Sequence, residues 1–124
     1  MKSFTDLEQS KKLAKILPIT TIDFAWNIFS DGSTRLLRMD DWEVFENATS
    51  NVEIIPCWSL AALIDIINTN YYTTLYHDGV AWNIDMIHHD NVKEKHSVYA
   101  NTPIDACIEI IEKLYEQKKF VLCG

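Results

Sequence analysis

The sequence has few glycines, prolines and cysteines, and their scarcity excludes several classes of protein. Its 124 residues include only three of each. With glycine only at positions 32, 79 and 124, the chain has no glycine-rich phosphate loop and no dinucleotide-binding fingerprint. The cysteines, at positions 57, 107 and 123, are odd in number and form no CxxC pair. This pattern favours free thiols in a reducing compartment, and we therefore expect a cytoplasmic protein.

Basic residues and long apolar runs are also scarce. Eleven lysines and arginines stand against eighteen aspartates and glutamates, which gives a formal net charge of −7. Because an acidic surface repels phosphate backbones, we expect no nucleic-acid partner. No apolar run approaches the length of a membrane span, so we also expect no membrane association. The 48% hydrophobic content is ordinary for a globular protein, and the length fits a single domain over residues 1–124.

Three segments carry the signals of a helix start. Thr5 and Glu8 have the spacing of a capping box at the head of an amphipathic segment. Ser59 is the expected N-cap of a second helix with a leucine- and isoleucine-rich stripe. Thr102 and Pro103 occupy the N-cap and first helical position of a third. The sequence therefore predicts three helices.

Strand patterns fill the intervals between these helices. Alternating side chains and turn signals predict strands at 23–29, 34–39, 71–77, 80–88 and 96–100, and residues 52–55 fit a short strand or an extended run. Residues 40–51 fit either an irregular strand or a short helical turn. Asp78-Gly79 is a strong hairpin signal, and Val80, Trp82, Ile84 and Met86 fall on one face of the strand after it. We therefore predict an α+β fold, with a mainly antiparallel sheet of four to six strands packed against three helices.

An aromatic residue within an acidic stretch is the first candidate for a functional contact. Asp40, Asp41, Trp42 and Glu43 follow the first predicted hairpin. Aromatic residues are enriched at the centres of protein interfaces. The leading hypothesis is therefore a small accessory or interaction protein that binds a protein partner through these residues.

The second predicted sheet offers an alternative site. Its aromatic and histidine residues could line a small-molecule or metal site, and the candidates are Tyr76, His77, Trp82, His88 and His96. His88 and His89 are strand neighbours that point to opposite faces, so only one of them could join such a cluster. Histidines on hairpin strands are usually exposed polar residues, and we expect no bound metal and no cofactor.

The sequence also bears on catalysis and on self-association. Ser59 has a sufficient role as a helix cap, and Cys57 has no activating group near it in the sequence, so we expect no enzymatic activity. Exposed sheet edges can pair across a two-fold axis, which leaves a homo-oligomer open.

Three segments resemble a family of short, uncharacterised proteins found in bacterial genomes, phages and other mobile elements. The similar segments are Phe4–Pro18, Ile55–Ile64 and Thr102–Ile111. They contain helix starts and core stripes and no catalytic motif. The resemblance implies no reaction, cofactor or binding residue; it implies a small accessory protein that modulates a process of the host or phage.

Overall fold

The computed structural model describes residues 3–18, 21–38 and 53–117. In these ranges the elements are α1 (Leu7–Leu13), β1 (Phe24–Ile28), β2 (Thr34–Arg38), β3 (Glu53–Cys57), α2 (Leu60–Asn68), β4 (Tyr71–His77), β5 (Trp82–His88), β6 (Lys95–Ala100) and α3 (Pro103–Glu116). The strands form two antiparallel three-stranded sheets, in the orders β2-β1-β3 and β4-β5-β6. The predicted α+β class is confirmed, whereas a single sheet of four to six strands is not.

The N-cap of the first helix lies one residue later than predicted. Asp6 is the N-cap: its carboxylate accepts a hydrogen bond from the Gln9 N–H at 2.8 Å, and the Gln9 side chain accepts one from the Asp6 N–H at 3.1 Å. The prediction of Thr5 as the cap is wrong because Thr5 is buried. Its hydroxyl lies 2.7 Å from that of Ser10 and accepts a hydrogen bond from the Trp58 N–H at 3.1 Å. Thr5 therefore ties the start of α1 to the residue that follows β3.

The caps of the other two helices are confirmed. The Ser59 hydroxyl accepts a hydrogen bond from the Ala62 N–H at 3.2 Å at the start of α2. The Thr102 hydroxyl accepts one from the Asp105 N–H at 3.1 Å at the start of α3, with Pro103 directly after the cap. Both helices thus begin where local side-chain chemistry satisfies their first N–H groups.

The hairpin between β4 and β5 turns at Asp78-Gly79. The Asp78 carboxylate accepts hydrogen bonds from the N–H groups of Val80 and Ala81 at 2.9 and 2.8 Å, and Gly79 has φ +96°, which suits a residue without a Cβ. The predicted bounds of β4 are confirmed. The predicted strand start at Val80 is wrong: β5 begins at Trp82, and Val80 lies in the turn with 89% of its surface exposed.

The core lies against the inner face of the second sheet. Helices α2 and α3 contact each other, α2 contacts β4, and α3 contacts β5 and β6. The fully buried side chains there include Leu63, Ile67, Ile84, Ile110 and Leu114. One face of this sheet is therefore covered by helices, and its other face takes no part in this cluster. Among the described residues, no helix is long and apolar enough to cross a membrane.

Candidate interaction surface

The strands of the second sheet place alternate residues on opposite faces. On the inner face lie buried residues such as Tyr71, Ile84, Met86, His96 and Val98. The strand register aligns the nine outward residues in three rows: Tyr72–Ile87–Lys95, Thr74–Asp85–Ser97 and Tyr76–Asn83–Tyr99. We call these nine residues the tyrosine face.

The aromatic residues of the tyrosine face are open to solvent. Tyr72, Tyr76 and Tyr99 are 67%, 41% and 72% exposed, and Ile87 is 38% exposed. A tyrosine that becomes fully buried contributes about 150–250 Å². When each of the three rings is weighted by its exposed fraction, together they offer about 270–450 Å² for contact. The three tyrosines lie in the two outer rows, with polar residues between them, so they provide separate aromatic contact points on one face.

A hydrogen-bonded polar row crosses the middle of the tyrosine face. The Ser97 hydroxyl donates to the Asp85 carboxylate at 2.8 Å. Hydrogen bonding to Asp85 also raises the pKa of the Tyr76 hydroxyl, which stays protonated and able to donate. The row thus presents polar groups that are already ordered by one another.

Charge is sparse on the tyrosine face. Lys95 and Asp85 are its only residues of fixed charge, and they have opposite signs. The ring of Tyr72 packs against that of His89, with centroids 4.4 Å apart. In a chain with net charge −7, this is a locally balanced surface.

The inner face carries a polar cluster at the end of the β4–β5 hairpin that is farthest from the turn. The Tyr71 hydroxyl donates to Glu94 Oε2 at 2.5 Å, and His96 Nε2 lies 3.2 Å from the same oxygen. The Tyr71 ring meets the rings of His88 and His96 edge-on, with centroids 5.1 and 5.7 Å apart. Burial, and then the Glu94 hydrogen bond, raise the pKa of Tyr71, so the phenol remains a donor to the carboxylate.

The alternative site predicted from the sequence divides between the two ends of this sheet. His77 and Trp82 are cross-strand partners beside the turn, with ring centroids 5.2 Å apart, and Tyr76 is next to them on the outer face. His88 lies opposite Tyr71 at the far end, six residues along β4 from His77, or about 20 Å. His96 lies level with Thr73, four residues along from His77, or about 13 Å. The structure therefore brings His88 and His96 to the same Tyr71 ring and separates both from the other three.

No metal centre emerges from these side chains. Within residues 3–18, 21–38 and 53–117, no group of three or more histidine, cysteine, aspartate or glutamate side chains is arranged to hold a metal ion. The other predicted contact residues, Asp40, Asp41, Trp42 and Glu43, lie outside the described residues.

The two described cysteine thiols are buried, and the Ser59 hydroxyl caps a helix. Cys57 is fully buried beside the Thr5 hydroxyl at 3.5 Å, and burial raises its pKa. Burial also raises the pKa of Cys107, to about 12. The Ser59 hydroxyl, which caps α2, also donates to the Asp23 carboxylate. A buried protonated thiol is a poor nucleophile, so these groups stabilise the fold in the roles seen here.

Two residues of the tyrosine face, Tyr99 and Ile87, are not among the site residues predicted from the sequence. Each is next to a buried residue in its strand, Val98 and Met86 respectively. That alternation is the signal that marks them as outward-facing. Glu94 had no such signal, because its contact with Tyr71 joins residues 23 positions apart.

Comparisons of the chain with protein-family models, curated proteins and solved structures find no match.

Proposed function

We propose that the protein is a non-enzymatic protein-interaction module that binds a protein partner through the tyrosine face. In this proposal it acts in the cytoplasm as an accessory to a bacterial or mobile-element process. The observation that carries the proposal is the exposure of Tyr72, Tyr76 and Tyr99 together on one face of a sheet whose other face is packed against helices.

Tyrosine is well suited to such a contact. Its side chain has few rotatable bonds, so it offers a large area at a small cost in conformational entropy, and its hydroxyl can hydrogen-bond at the edge of the contact. The sheet fixes the backbone of all three strands, and the Ser97–Asp85 hydrogen bond orders the central row. A face that is ordered before binding loses less freedom when the partner arrives.

The composition of the face indicates the chemistry of the partner. Since Lys95 and Asp85 balance each other, the face suits a protein surface of low net charge that presents apolar side chains and hydrogen-bonding groups. Its tyrosine area of about 270–450 Å² is below the roughly 800 Å² per partner of a standard interface. We therefore expect a reversible complex of moderate affinity.

The alternative, a small-molecule or metal-binding domain, has less support. Its five residues divide between the two ends of the sheet, and His96 is engaged with Glu94. A thermal-shift measurement with divalent metals checks it, because a ligand of the native state raises the apparent stability. A metal-dependent shift that is lost in His88→Ala and His96→Ala would favour this alternative over the interaction module.

The test of the proposed function compares two tyrosines with different positions. The tagged wild-type protein, Tyr99→Ala and Tyr115→Ala are used to capture partners from lysate of the native host, with quantitative mass spectrometry of the bound proteins. Tyr99 belongs to the tyrosine face, whereas Tyr115 lies on α3 and is 50% exposed. Each variant removes one exposed phenol ring, so Tyr115→Ala is the matched control.

We expect one stoichiometric partner on the wild type and on Tyr115→Ala, and at least a tenfold loss on Tyr99→Ala. Equal retention by all three proteins would place the contact elsewhere. If the wild-type protein has a native circular dichroism spectrum but captures no partner, that result would contradict the interaction module itself.

A further inference from the structure

Four of the described strands lie at the edges of the two sheets, and three of these four contain residues that protect against pairing. Natural edge strands are blocked by charged residues or by proline, because their outward N–H and C=O groups otherwise accept another strand. β2 contains Arg35 and Arg38, β3 contains Glu53 and Pro56, and β6 contains Lys95.

β4 is the exception among the described edge strands. Its seven residues, Tyr-Tyr-Thr-Thr-Leu-Tyr-His, include no aspartate, glutamate, lysine, arginine or proline. Aromatic and β-branched residues favour the extended conformation, and an uncharged segment of this length is well suited to strand pairing. β4 is therefore the described edge most open to another strand.

The hydrogen bonds at the two ends of the β4–β5 ladder show which backbone groups of β4 face outward. The Asp78 N–H donates to the Ala81 carbonyl at 3.1 Å, and the His89 N–H donates to the Asn70 carbonyl at 3.0 Å. Hydrogen-bonded and non-hydrogen-bonded pairs alternate along an antiparallel ladder. The residues that direct their N–H and C=O groups away from β5 are therefore Tyr71, Thr73, Leu75 and His77.

We propose that β4 pairs antiparallel with β4 of a second copy of this chain, about a two-fold axis at Thr74. In this register Thr74 lies opposite its own copy, Tyr72 opposite the partner subunit's Tyr76, and Thr73 opposite the partner subunit's Leu75. The four outward-directed residues of each strand then all fall in hydrogen-bonded pairs, which supplies about eight backbone hydrogen bonds.

The register also matches side chains. Tyr72, Thr74 and Tyr76 all belong to the tyrosine face and meet at non-hydrogen-bonded positions, where opposing side chains are closest. Aromatic pairs and threonine pairs at such positions stabilise a sheet. The pairing creates one antiparallel sheet of six strands and a continuous tyrosine face across both copies.

Charge favours β4 as the line of contact. Two chains of net charge −7 repel each other, and like charges placed opposite one another across a ladder are destabilising. β4 brings no fixed charge to the axis. Because a seven-residue ladder is smaller than a standard interface of about 1,200–2,000 Å², we expect a micromolar, exchanging dimer. The dimer does not depend on the binding of any other partner.

Sedimentation equilibrium of the full chain, from about 1 to 100 µM, tests the dimer. The wild type should move from a mass of 14.4 kDa towards twice that value. Thr74→Lys sets two ammonium groups opposite each other at the axis and should weaken the dimer at least tenfold. Ser97→Lys is the matched control, since Ser97 is also exposed, occupies the same row, and lies on the other edge strand.

Two results of this experiment would overturn the proposal. One is a wild-type mass that stays at 14.4 kDa throughout the series. The other is equal weakening by Ser97→Lys and Thr74→Lys, which would mean that charge anywhere on the face is sufficient.

Disulfide trapping provides a second test that keeps its meaning if the lysine variants alter stability. In a Cys123→Ser background, Thr74→Cys would place two thiols in a non-hydrogen-bonded pair with Cα atoms about 4.5 Å apart, within the range for a disulfide. Mild oxidation should give a covalent dimer of Thr74→Cys and leave Ser97→Cys monomeric. The reverse result, or equal cross-linking of the two, would refute pairing at β4. The native Cys57 and Cys107 are buried and should not contribute.

Discussion

Tyr71→Phe is the substitution whose effect on stability follows most directly from the structure. It removes one oxygen, the donor to Glu94 Oε2 at 2.5 Å, from a residue that is 2% exposed. The phenyl ring keeps its packing against His88 and His96. The change therefore isolates a single hydrogen bond to a carboxylate inside the inner-face cluster.

The expected cost follows from the charge of the acceptor. A hydrogen bond to a charged group contributes about 1.5–3 kcal/mol, and Glu94 would retain His96 as a neighbour, 3.2 Å from the same oxygen. At this chain length, about 1 kcal/mol corresponds to a shift of about 3–5 °C in melting temperature. We expect Tyr71→Phe to lower the melting temperature by about 5–15 °C.

Urea and thermal unfolding, followed by circular dichroism, measure this loss. Tyr72→Phe is the matched control: it removes the same atom from the next residue, which lies on the tyrosine face with 67% exposure. Its effect should stay within about 0.5 kcal/mol, as for other surface substitutions. Equal effects of the two variants, or a loss below 0.5 kcal/mol for Tyr71→Phe, would refute the role given to the Tyr71–Glu94 hydrogen bond.

Three further predictions concern the α2 cap, the hairpin turn and the thiols. Ser59→Ala removes the cap of α2 and a donor to Asp23, and unfolding measurements should show a loss of about 1–3 kcal/mol; a loss near zero would contradict both roles. N–H groups of Ala81 and Val80 lower the pKa of Asp78 to about 2 from 3.8, so its stabilisation is present above about pH 4 and lost as pH falls towards 2. Acid titrations of stability should therefore be flatter for Asp78→Asn, and an unchanged slope would argue against this turn. In a Cys123→Ser background, Cys57 and Cys107 should react with a thiol reagent at pH 8 only after unfolding, because burial raises both pKa values; prompt reaction of the native protein would contradict their burial.

Elements set by neighbouring residues could be predicted from the sequence. The caps at Ser59 and Thr102 depend on an N–H group three residues away, and the hairpin depends on Asp78 and Gly79 within its own turn. In each case one local contact decides the conformation, so the sequence pattern was sufficient.

Elements set by distant contacts could not be predicted in the same way. Thr5 has good capping chemistry, but its hydroxyl is held by Ser10 and by the Trp58 N–H, so Asp6 caps α1 instead. The division of six strands into two sheets likewise depends on pairing between remote segments, such as β1 with β3. Alternation alone does not specify which strands pair.

The candidate surface shows the same division. Alternation along β4 and β6 is sufficient to place Tyr72 and Tyr99 on the face opposite the buried residues, but their positions in the two outer rows of that face depend on the register with β5. The five residues of the alternative site share a sheet, as predicted, yet the strand length separates His77 from His96. Proximity in sequence on a hairpin therefore did not specify proximity in space.

Radical footprinting of the protein, alone and in complex with its captured partner, tests the central claim most directly. Labelling of each tyrosine ring is measured by mass spectrometry, and Tyr115 serves as the internal reference on α3. The interaction proposal predicts strong protection of Tyr72 and Tyr99 in the complex and unchanged labelling of Tyr115. Unchanged labelling of Tyr72 and Tyr99 in a saturated complex would contradict it.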